Sequence, residues 1–131
     1  VIGDTIVDEY IQCDPLGMSQ EDPTIVVTPI MENKFLGGAG IVAAHARALG
    51  ASKVSFITVT GDDETSAYIS DKLKSYGVDA DLVVDDSRPT TLKQRYRVGN
   101  KTLLRVSHLR QHKINKNLQN NKYFNLPFFL K

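Results

Sequence analysis

A glycine-rich segment, Gly37-Gly38-Ala39-Gly40, constrains the fold of this chain most strongly. It follows a strand-like run at residues 24–30 and precedes an alanine-rich stretch at residues 41–49. Glycine has no Cβ atom, so its backbone can turn tightly and its amides stay open to a ligand. Where such amides begin a helix, they can bind an anion or a sugar hydroxyl. The segment therefore predicts a tight turn into a helix and a candidate ligand site.

Strand-like and helix-like patterns alternate over residues 1–84. Apolar runs bounded by turn residues predict strands, and apolar residues at helical spacing followed by glycine predict helices. The predicted strands are residues 1–2, 53–60 and 81–84, and the predicted helices are residues 40–49 and 64–76. This order predicts a layered α/β/α fold with a parallel sheet. The first strand is expected to end in an acidic ligand loop that carries Asp4 and Asp8.

Three further strand-like runs do not fit this alternation. They lie at about residues 24–30, 91–98 and 101–107, and Gly99-Asn100 between the last two is a typical hairpin turn. We expect these strands to form a small sheet that projects beside the ligand loop. A sheet in that position is suited to act as a lid.

The charges are divided between the two halves of the chain. All 15 acidic residues lie within residues 1–86 with five basic residues, whereas residues 87–131 hold eleven basic residues and no acidic one. Such a division can indicate a nucleic-acid-binding tail. The basic residues up to Arg105 lie in strand-like alternation, however, which favours two halves that fold together and neutralise each other. Nucleic-acid binding is therefore the least favoured explanation.

The length and the cysteine content limit the class of protein. A chain of 131 residues can bury one modest core. Its single cysteine, Cys13, excludes an intrachain disulfide, and no cluster of metal-ligating residues is visible. No signal peptide or membrane-spanning run is present, so a cytoplasmic location is expected. The chain opens at Val1 rather than Met, which suggests that the beginning of its first strand is missing.

Several segments together carry a resemblance to a known family. They are Gly3-Asp4-Thr5-Ile6-Val7-Asp8, Gly37-Gly38-Ala39, Thr60-Gly61-Asp62-Asp63, Lys93-Gln94-Arg95 and Leu103-Leu104-Arg105. In this order and spacing, they resemble the ribokinase-like (PfkB) carbohydrate kinases over residues 1 to about 110. Within that family the chain looks most like the heptose-phosphate kinase domain of ADP-heptose synthesis.

The resemblance implies a sugar-binding role for three residues. Asp8 would accept hydrogen bonds from sugar hydroxyls, because a carboxylate offers two acceptor oxygens. Gly37 and Gly38 would bring bare backbone against the sugar. From the residues alone, the less favoured explanation of Asp8 is that it stabilises a turn or caps a helix. The glycines could form a tight turn before the helix, a role that is compatible with sugar binding.

The resemblance also implies a phosphate-binding role for Lys93, Arg95 and Arg105. Lysine supplies a point charge and arginine a bidentate fork, both suited to a phosphate. Residues 93 and 95 share one face of a strand, since side chains alternate. The other explanation is a solvated edge strand whose charges prevent aggregation.

The family further implies ATP as the phosphoryl donor, with Mg²⁺. Its catalytic aspartate belongs to a Gly-Ala-Gly-Asp-type motif late in a longer chain, and nothing after Arg110 resembles that motif. Residues 1–131 are therefore expected to be the N-terminal part of a kinase domain, without a catalytic residue, a metal ligand or the nucleotide site. The ending from Asn125 onward is predicted to begin the next helix and strand.

Two classes of function stay open at this point. The first is the substrate-binding and lid portion of an ATP-dependent sugar kinase that phosphorylates a heptose phosphate, for ADP-heptose and lipopolysaccharide precursors. The second is a non-catalytic module for sugar-phosphate binding or oligomerisation. In either case exposed strand edges predict a homodimer formed through the lid strands. Ile41 stands where these kinases usually carry Asn, and Gly17 where the heptose-kinase pattern has Arg.

Overall fold

The computed structural model describes residues 1–114 and residue 118 of the chain. Within them lie six strands and two helices. In chain order these are β1 (Thr5–Met18), β2 (Ile25–Gly37), α1 (Gly38–Ala48), β3 (Ser55–Thr60), α2 (Glu64–Ser75), β4 (Asp79–Val84), β5 (Leu92–Val98) and β6 (Lys101–His108). The helix and strand predicted from Asn125 onward lie outside the described residues.

The described strands form two sheets. A four-stranded mixed sheet has the order β2-β1-β5-β6, in which β1 runs antiparallel to β2 and parallel to β5. A second sheet pairs β3 with β4 in parallel, and Ile2 joins it through a parallel bridge to Ile57. The α/β class with a partial parallel sheet is therefore confirmed. The sheet expected to be a small accessory is the larger of the two in the described part of the chain.

The acidic loop was expected to carry both Asp4 and Asp8, and this is right for Asp4 but wrong for Asp8. Asp8 lies inside β1, which continues for 14 residues. Alternate residues of β1 from Thr5 to Cys13 are buried, the pattern of a strand with one covered face. The alternation is hidden in the sequence because the covered face includes Glu9, only 4% exposed. The Lys34 Nζ atom lies 3.2 Å from its carboxylate, and the Gln94 side-chain amide donates a hydrogen bond to it at 2.6 Å.

The hydrophobic core lies between the helices and the β3–β4 sheet. Its most buried side chains are Phe56 of β3 and Ile69 and Leu73 of α2, all at 0% exposure. Val7 of β1 belongs to the same cluster and links the four-stranded sheet to the core. Each such side chain stabilises the fold by roughly 1.5–3 kcal/mol. Neither helix in the described part of the chain is long and apolar enough to cross a membrane.

Asp63 connects the core to the four-stranded sheet. Its carboxylate caps α2 by accepting a hydrogen bond from the Ser66 amide at 2.9 Å, and it accepts another from the Thr90 amide at 2.8 Å. Burial raises the pKa of Asp63, but these hydrogen bonds outweigh burial and leave the pKa below its ordinary value. One carboxylate thus holds both the first turn of α2 and the segment around Thr90 that precedes β5.

The glycine turn joins β2 directly to α1, with no loop between them. Gly38 begins the helix at a φ of 60°, a left-handed conformation that glycine adopts without strain. A Cβ atom at Gly38 would overlap the Asp4 carbonyl oxygen, which accepts a hydrogen bond from the Ala39 amide at 2.8 Å. The close approach expected at Gly38 is therefore made to the chain's own backbone.

We expect Gly38→Ala to destabilise the protein more than Gly99→Ala does. Both glycines are left-handed, at φ 60° and 54°, but nothing lies within 4 Å of a Cβ at Gly99. Both variants should lose about 1–2 kcal/mol through backbone strain, and Gly38→Ala about 1–3 kcal/mol more through overlap. Free energies of unfolding from urea denaturation measure the difference. Equal losses for the two variants would contradict the contact at Asp4.

Candidate functional site

One face of the four-stranded sheet gathers the polar residues of the site. In the observed register, Asp8 of β1 is paired with Phe35 of β2 and with Lys93 of β5. Paired residues in neighbouring strands point to the same face of a sheet. The next pairs along β1 follow the same rule, and they are Tyr10 with Asn33 and Arg95, and Gln12 with Met31 and Arg97.

A cleft of about 620 Å³ lies on this face. Three strands line it, and the lining side chains are Asp8, Tyr10 and Gln12 of β1, Met31, Asn33 and Phe35 of β2, and Arg97 of β5. The lining combines apolar surface with a few convergent polar groups, which is typical of a small-molecule site. The cleft is therefore the candidate functional site.

Asp8 lies at the end of the cleft nearest the glycine turn. Its Oδ1 atom accepts a charge-assisted hydrogen bond from Arg95 Nη1, and the two side chains are 27% and 24% exposed. This bond is the main reason that the pKa of Arg95 is raised. A Cβ atom at Gly37 would lie 2.8 Å from Asp8 Oδ2. The structure thus brings Asp8, Gly37 and Arg95 together at the beginning of α1.

Tyr10 forms an aromatic surface within the cleft. The Cζ atoms of Arg95 and Arg97 lie 5.1 and 5.9 Å from the centre of its ring, distances typical of cation–π contacts. Phe35 packs edge-to-face against the same ring, with 5.8 Å between ring centres. These contacts hold both guanidinium groups beside the apolar part of the cleft.

The basic residues expected to bind phosphate lie around a second, smaller groove on the same face. It measures about 200 Å³ and is lined by Lys93, Gln94, Arg95, Arg105 and Ser107. Arg95 and Arg105 are direct partners across β5 and β6. Lys93 and Arg105 form no ion pair with any described residue, whereas Arg95 is engaged by Asp8. The three predicted basic residues are therefore neighbours. The charges of Lys93 and Arg105 are not neutralised by any described residue, whereas the charge of Arg95 is neutralised by Asp8.

Six of the seven residues that line the cleft were not identified from the sequence, and they are Tyr10, Gln12, Met31, Asn33, Phe35 and Arg97. Three of them show why. Arg97 continues the alternation of residues 93 and 95 and could have been identified from that spacing alone. Tyr10 was missed because β1 was not predicted, and side chains alternate between two faces only in a strand. Asn33 has no signal in the sequence, since only its pairing with Tyr10 places it in the cleft.

The two oppositely charged halves of the chain meet in two ion pairs. Arg95 binds Asp8, and Arg88 Nε lies 2.7 Å from Asp85 Oδ2. A hydrogen bond from Ser87 and the Arg88 guanidinium lower the pKa of Asp85, although only 1% of this residue is exposed. The neutralisation expected from the charge division is present at these two places.

Nothing in the described part of the chain offers a metal site. No three side chains of His, Cys, Asp or Glu among residues 1–114 gather closely enough to hold an ion. The Mg²⁺ that the resemblance implies has no evident ligands in this region, and no chemical step is assigned to it.

Comparisons with known proteins agree on a family of carbohydrate kinases. A family model described as pfkB family carbohydrate kinase matches residues 1–126. The bifunctional protein HldE of Helicobacter hepaticus is 40% identical over 122 residues, covering 92% of this chain and 25% of that protein. HldE of Azorhizobium caulinodans is 40% identical over 108 residues, covering 81% of this chain and 22% of that protein. This chain therefore spans about a quarter of the length of these relatives.

The fold is also similar to solved kinase structures. The structure of Arabidopsis thaliana ribokinase complexed with ribose and ATP superposes with a TM-score of 0.61 at 16% identity. The match covers 83% of this chain and 34% of that one. A carbohydrate kinase from Agrobacterium tumefaciens superposes with a TM-score of 0.62 at 17% identity, over 81% of this chain and 33% of that one. At these identities the likeness concerns the fold alone.

We expect Asp8 and Arg95 to be coupled energetically. In a double-mutant cycle with Asp8→Asn and Arg95→Gln, the coupling should be about 0.5–1.5 kcal/mol, because the pair is partly buried. The coupling should decrease when the salt concentration rises. Free energies of unfolding of the four proteins give its value. Strict additivity of the two substitutions would mean that the ion pair does not hold Asp8 in place.

Proposed function

This chain belongs to the pfkB family of carbohydrate kinases, and on that premise we propose that it is the substrate-binding portion of an ATP-dependent sugar kinase. One observation carries the proposal. A carboxylate, Asp8, faces an open cleft beside the bare backbone of Gly37, at the beginning of a helix. Carboxylate oxygens and exposed amides are the groups that bind sugar hydroxyls.

On this proposal the sugar lies at the Asp8 end of the cleft. Arg95 occupies one position on the carboxylate and fixes its orientation, which leaves acceptor positions for hydroxyls. Gly37 keeps the space beside Asp8 Oδ2 open, and Gly38 allows the sharp entry into α1. The apolar faces of Tyr10 and Phe35 can contact the carbon-bound hydrogens of the sugar ring.

The basic groove is proposed to attract the anionic substrate toward this face of the sheet. Lys93 and Arg105 supply two charges that no described carboxylate neutralises, and Arg95 lies between them and Asp8. The four-stranded sheet that carries the groove would act as the lid. An anionic substrate drawn to the groove lies close to the cleft, because Arg95 lines the groove and binds Asp8 of the cleft.

A heptose phosphate is the substrate that we propose. Support comes from the relatives, which are HldE proteins at about 35–40% identity, together with the heptose-kinase pattern of the sequence. A cleft of about 620 Å³ has room for a sugar phosphate of this size. Ile41 cannot form the hydroxyl contact of the usual Asn, so the recognition of one hydroxyl would differ from that in most of the family.

ATP is the proposed phosphoryl donor, and the reaction would take place in the cytoplasm with Mg²⁺. We include ATP and Mg²⁺ in the proposal because the chain belongs to a family of carbohydrate kinases. The described residues contribute binding and orientation of the sugar and its phosphate. A non-catalytic binding module is the less favoured alternative, because the family match extends over most of the chain.

We expect the full gene product to phosphorylate a heptose phosphate in the presence of ATP and Mg²⁺. Asp8→Asn should lower kcat/KM about 10- to 100-fold, because a hydrogen bond to a charged acceptor is worth about 1.5–3 kcal/mol. Asp14→Asn removes an exposed carboxylate from the same strand and should leave kcat/KM nearly unchanged. A coupled ADP-release assay measures both.

Two results would count against this function. Equal kcat/KM values for the Asp8→Asn and Asp14→Asn variants would remove Asp8 from the sugar site. A wild-type protein that binds heptose phosphate but transfers no phosphoryl group from ATP would favour the non-catalytic module.

We also propose a homodimer formed through the edge strand β2. The β1–β2 hairpin exposes apolar side chains, among them Leu16 at 65%, Met18 at 64% and Ile30 at 56%. An exposed edge strand with apolar side chains tends to pair with another chain. A second copy is the simplest partner for such an edge.

The double variant Ile25→Lys/Ile30→Lys should convert the dimer into a monomer, because two buried charges would disfavour the interface. Val42→Lys places the same charge at an exposed apolar position of α1 and should leave the dimer intact. Light scattering after size-exclusion chromatography gives both masses. A monomeric wild-type protein, or a dimer that survives the double substitution, would rule out this interface.

A further inference from the structure

Arg97 is a cation of the cleft to which the sequence assigns no role. Its Nη2 atom donates a hydrogen bond to the Asn100 carbonyl oxygen at 3.1 Å, and its guanidinium lies against the Tyr10 ring. Its Nε atom is buried and has no hydrogen-bond partner among the described residues. A buried donor without a partner is costly. The side chain is therefore held in the cleft with a hydrogen-bond donor that no described residue uses.

The charges around the cleft leave Arg97 unopposed. Among the described residues that line the cleft, Asp8 is the one carboxylate, and Arg95 already neutralises it. The β2 residues that line the cleft, Met31, Asn33 and Phe35, carry no charge. An anion that enters the cleft would thus meet, at Arg97, a guanidinium that no described carboxylate neutralises and, at Asp8, a neutralised pair.

The backbone positions of Arg97 and Asp8 lie at opposite ends of the cleft. Arg97 is the register partner of Gln12, which is four residues beyond Asp8 on β1. At about 3.3 Å per residue, the two positions are separated by roughly 13 Å of strand. The Arg97 guanidinium reaches back to within 5.9 Å of the centre of the Tyr10 ring. The span between the charged groups is therefore shorter than the span between the two backbone positions, on the scale of one sugar with a terminal phosphate.

We propose that Arg97 binds the phosphate of the substrate at the end of the cleft opposite Asp8, and that it makes the cleft selective for a phosphorylated sugar. The inference rests on the proposed function for the identity of the sugar. A phosphate can accept hydrogen bonds from Nε and Nη2 together, the bidentate geometry that guanidinium groups favour. A small rotation of the side chain would bring Nε to the ligand and satisfy this buried donor.

The groove around Lys93 and Arg105 is the competing position for the phosphate. Lys93 lies four residues before Arg97 on β5, again roughly 13 Å along the strand. The two positions open into different cavities. Substitutions at Arg97 and Arg105 therefore separate the two positions experimentally.

The test compares a heptose phosphate with the same heptose lacking phosphate, by calorimetric titration of the full gene product. Arg97→Gln should raise Kd for the phosphorylated sugar about 10- to 100-fold and leave Kd for the other sugar within about threefold. Arg97→Lys should give an intermediate Kd for the phosphorylated sugar. Lysine retains the positive charge but cannot form the two parallel hydrogen bonds of a guanidinium group. Lys101→Gln removes an exposed charge near the same hairpin and should change neither Kd.

The outcomes distinguish this inference from the function on which it rests. If Arg105→Gln abolishes the preference for the phosphorylated sugar while Arg97→Gln does not, the inference is wrong and the sugar kinase stands. If the wild-type protein binds neither sugar, the proposed function fails, and inorganic phosphate becomes the probe. Broadening of the ³¹P resonance of phosphate by the wild-type protein, but not by the Arg97→Gln variant, would support an anion site at Arg97. The same broadening by both proteins, or by neither, would overturn it.

Discussion

The pairing of β1 with β2 on one side and β5 on the other is the interaction on which the site depends. Its register places a carboxylate, aromatic rings and guanidinium groups on one face, although Asp8 and Arg95 are 87 residues apart in sequence. The opposite face of β1 is buried, and Val7 anchors it in the core. A slip of one residue would exchange the two faces, so the burial of Val7 also fixes where Asp8 points.

The ion pair between Asp8 and Arg95 gives the site its chemical character. A carboxylate beside an open cleft would otherwise sample several rotamers, and the guanidinium limits it to one orientation. Gly37 has no side chain to fill the space on the other side of the carboxylate. The same pair cancels two charges, which leaves Arg97 as a cleft cation that no described carboxylate neutralises. Sugar hydroxyls and a phosphate would therefore be recognised at different ends of one cavity.

The sequence predicted the α/β class, the helices and the hairpin at Gly99-Asn100, because those depend on local spacing and on glycine. It failed for β1, since a buried Glu9 looks like a solvent-facing residue until Lys34 and Gln94 are known to contact it. Asp8, Gly37 and Gly38 were ligand candidates from the residues themselves, and their roles in sugar binding came from the family resemblance. Lys93, Arg95 and Arg105 became phosphate candidates through the same resemblance. Their grouping into a cleft and a groove could not be predicted, because it depends on which strands pair and in which register.

The central claim of this account is that Asp8 binds a hydroxyl of the sugar. A crystal structure of the full gene product with a heptose phosphate bound would test it most directly. We expect a sugar hydroxyl about 2.6–3.2 Å from an Asp8 carboxylate oxygen, with Arg95 still bound to the other side of the carboxylate. A sugar bound with no hydroxyl within hydrogen-bonding distance of Asp8 would contradict the account.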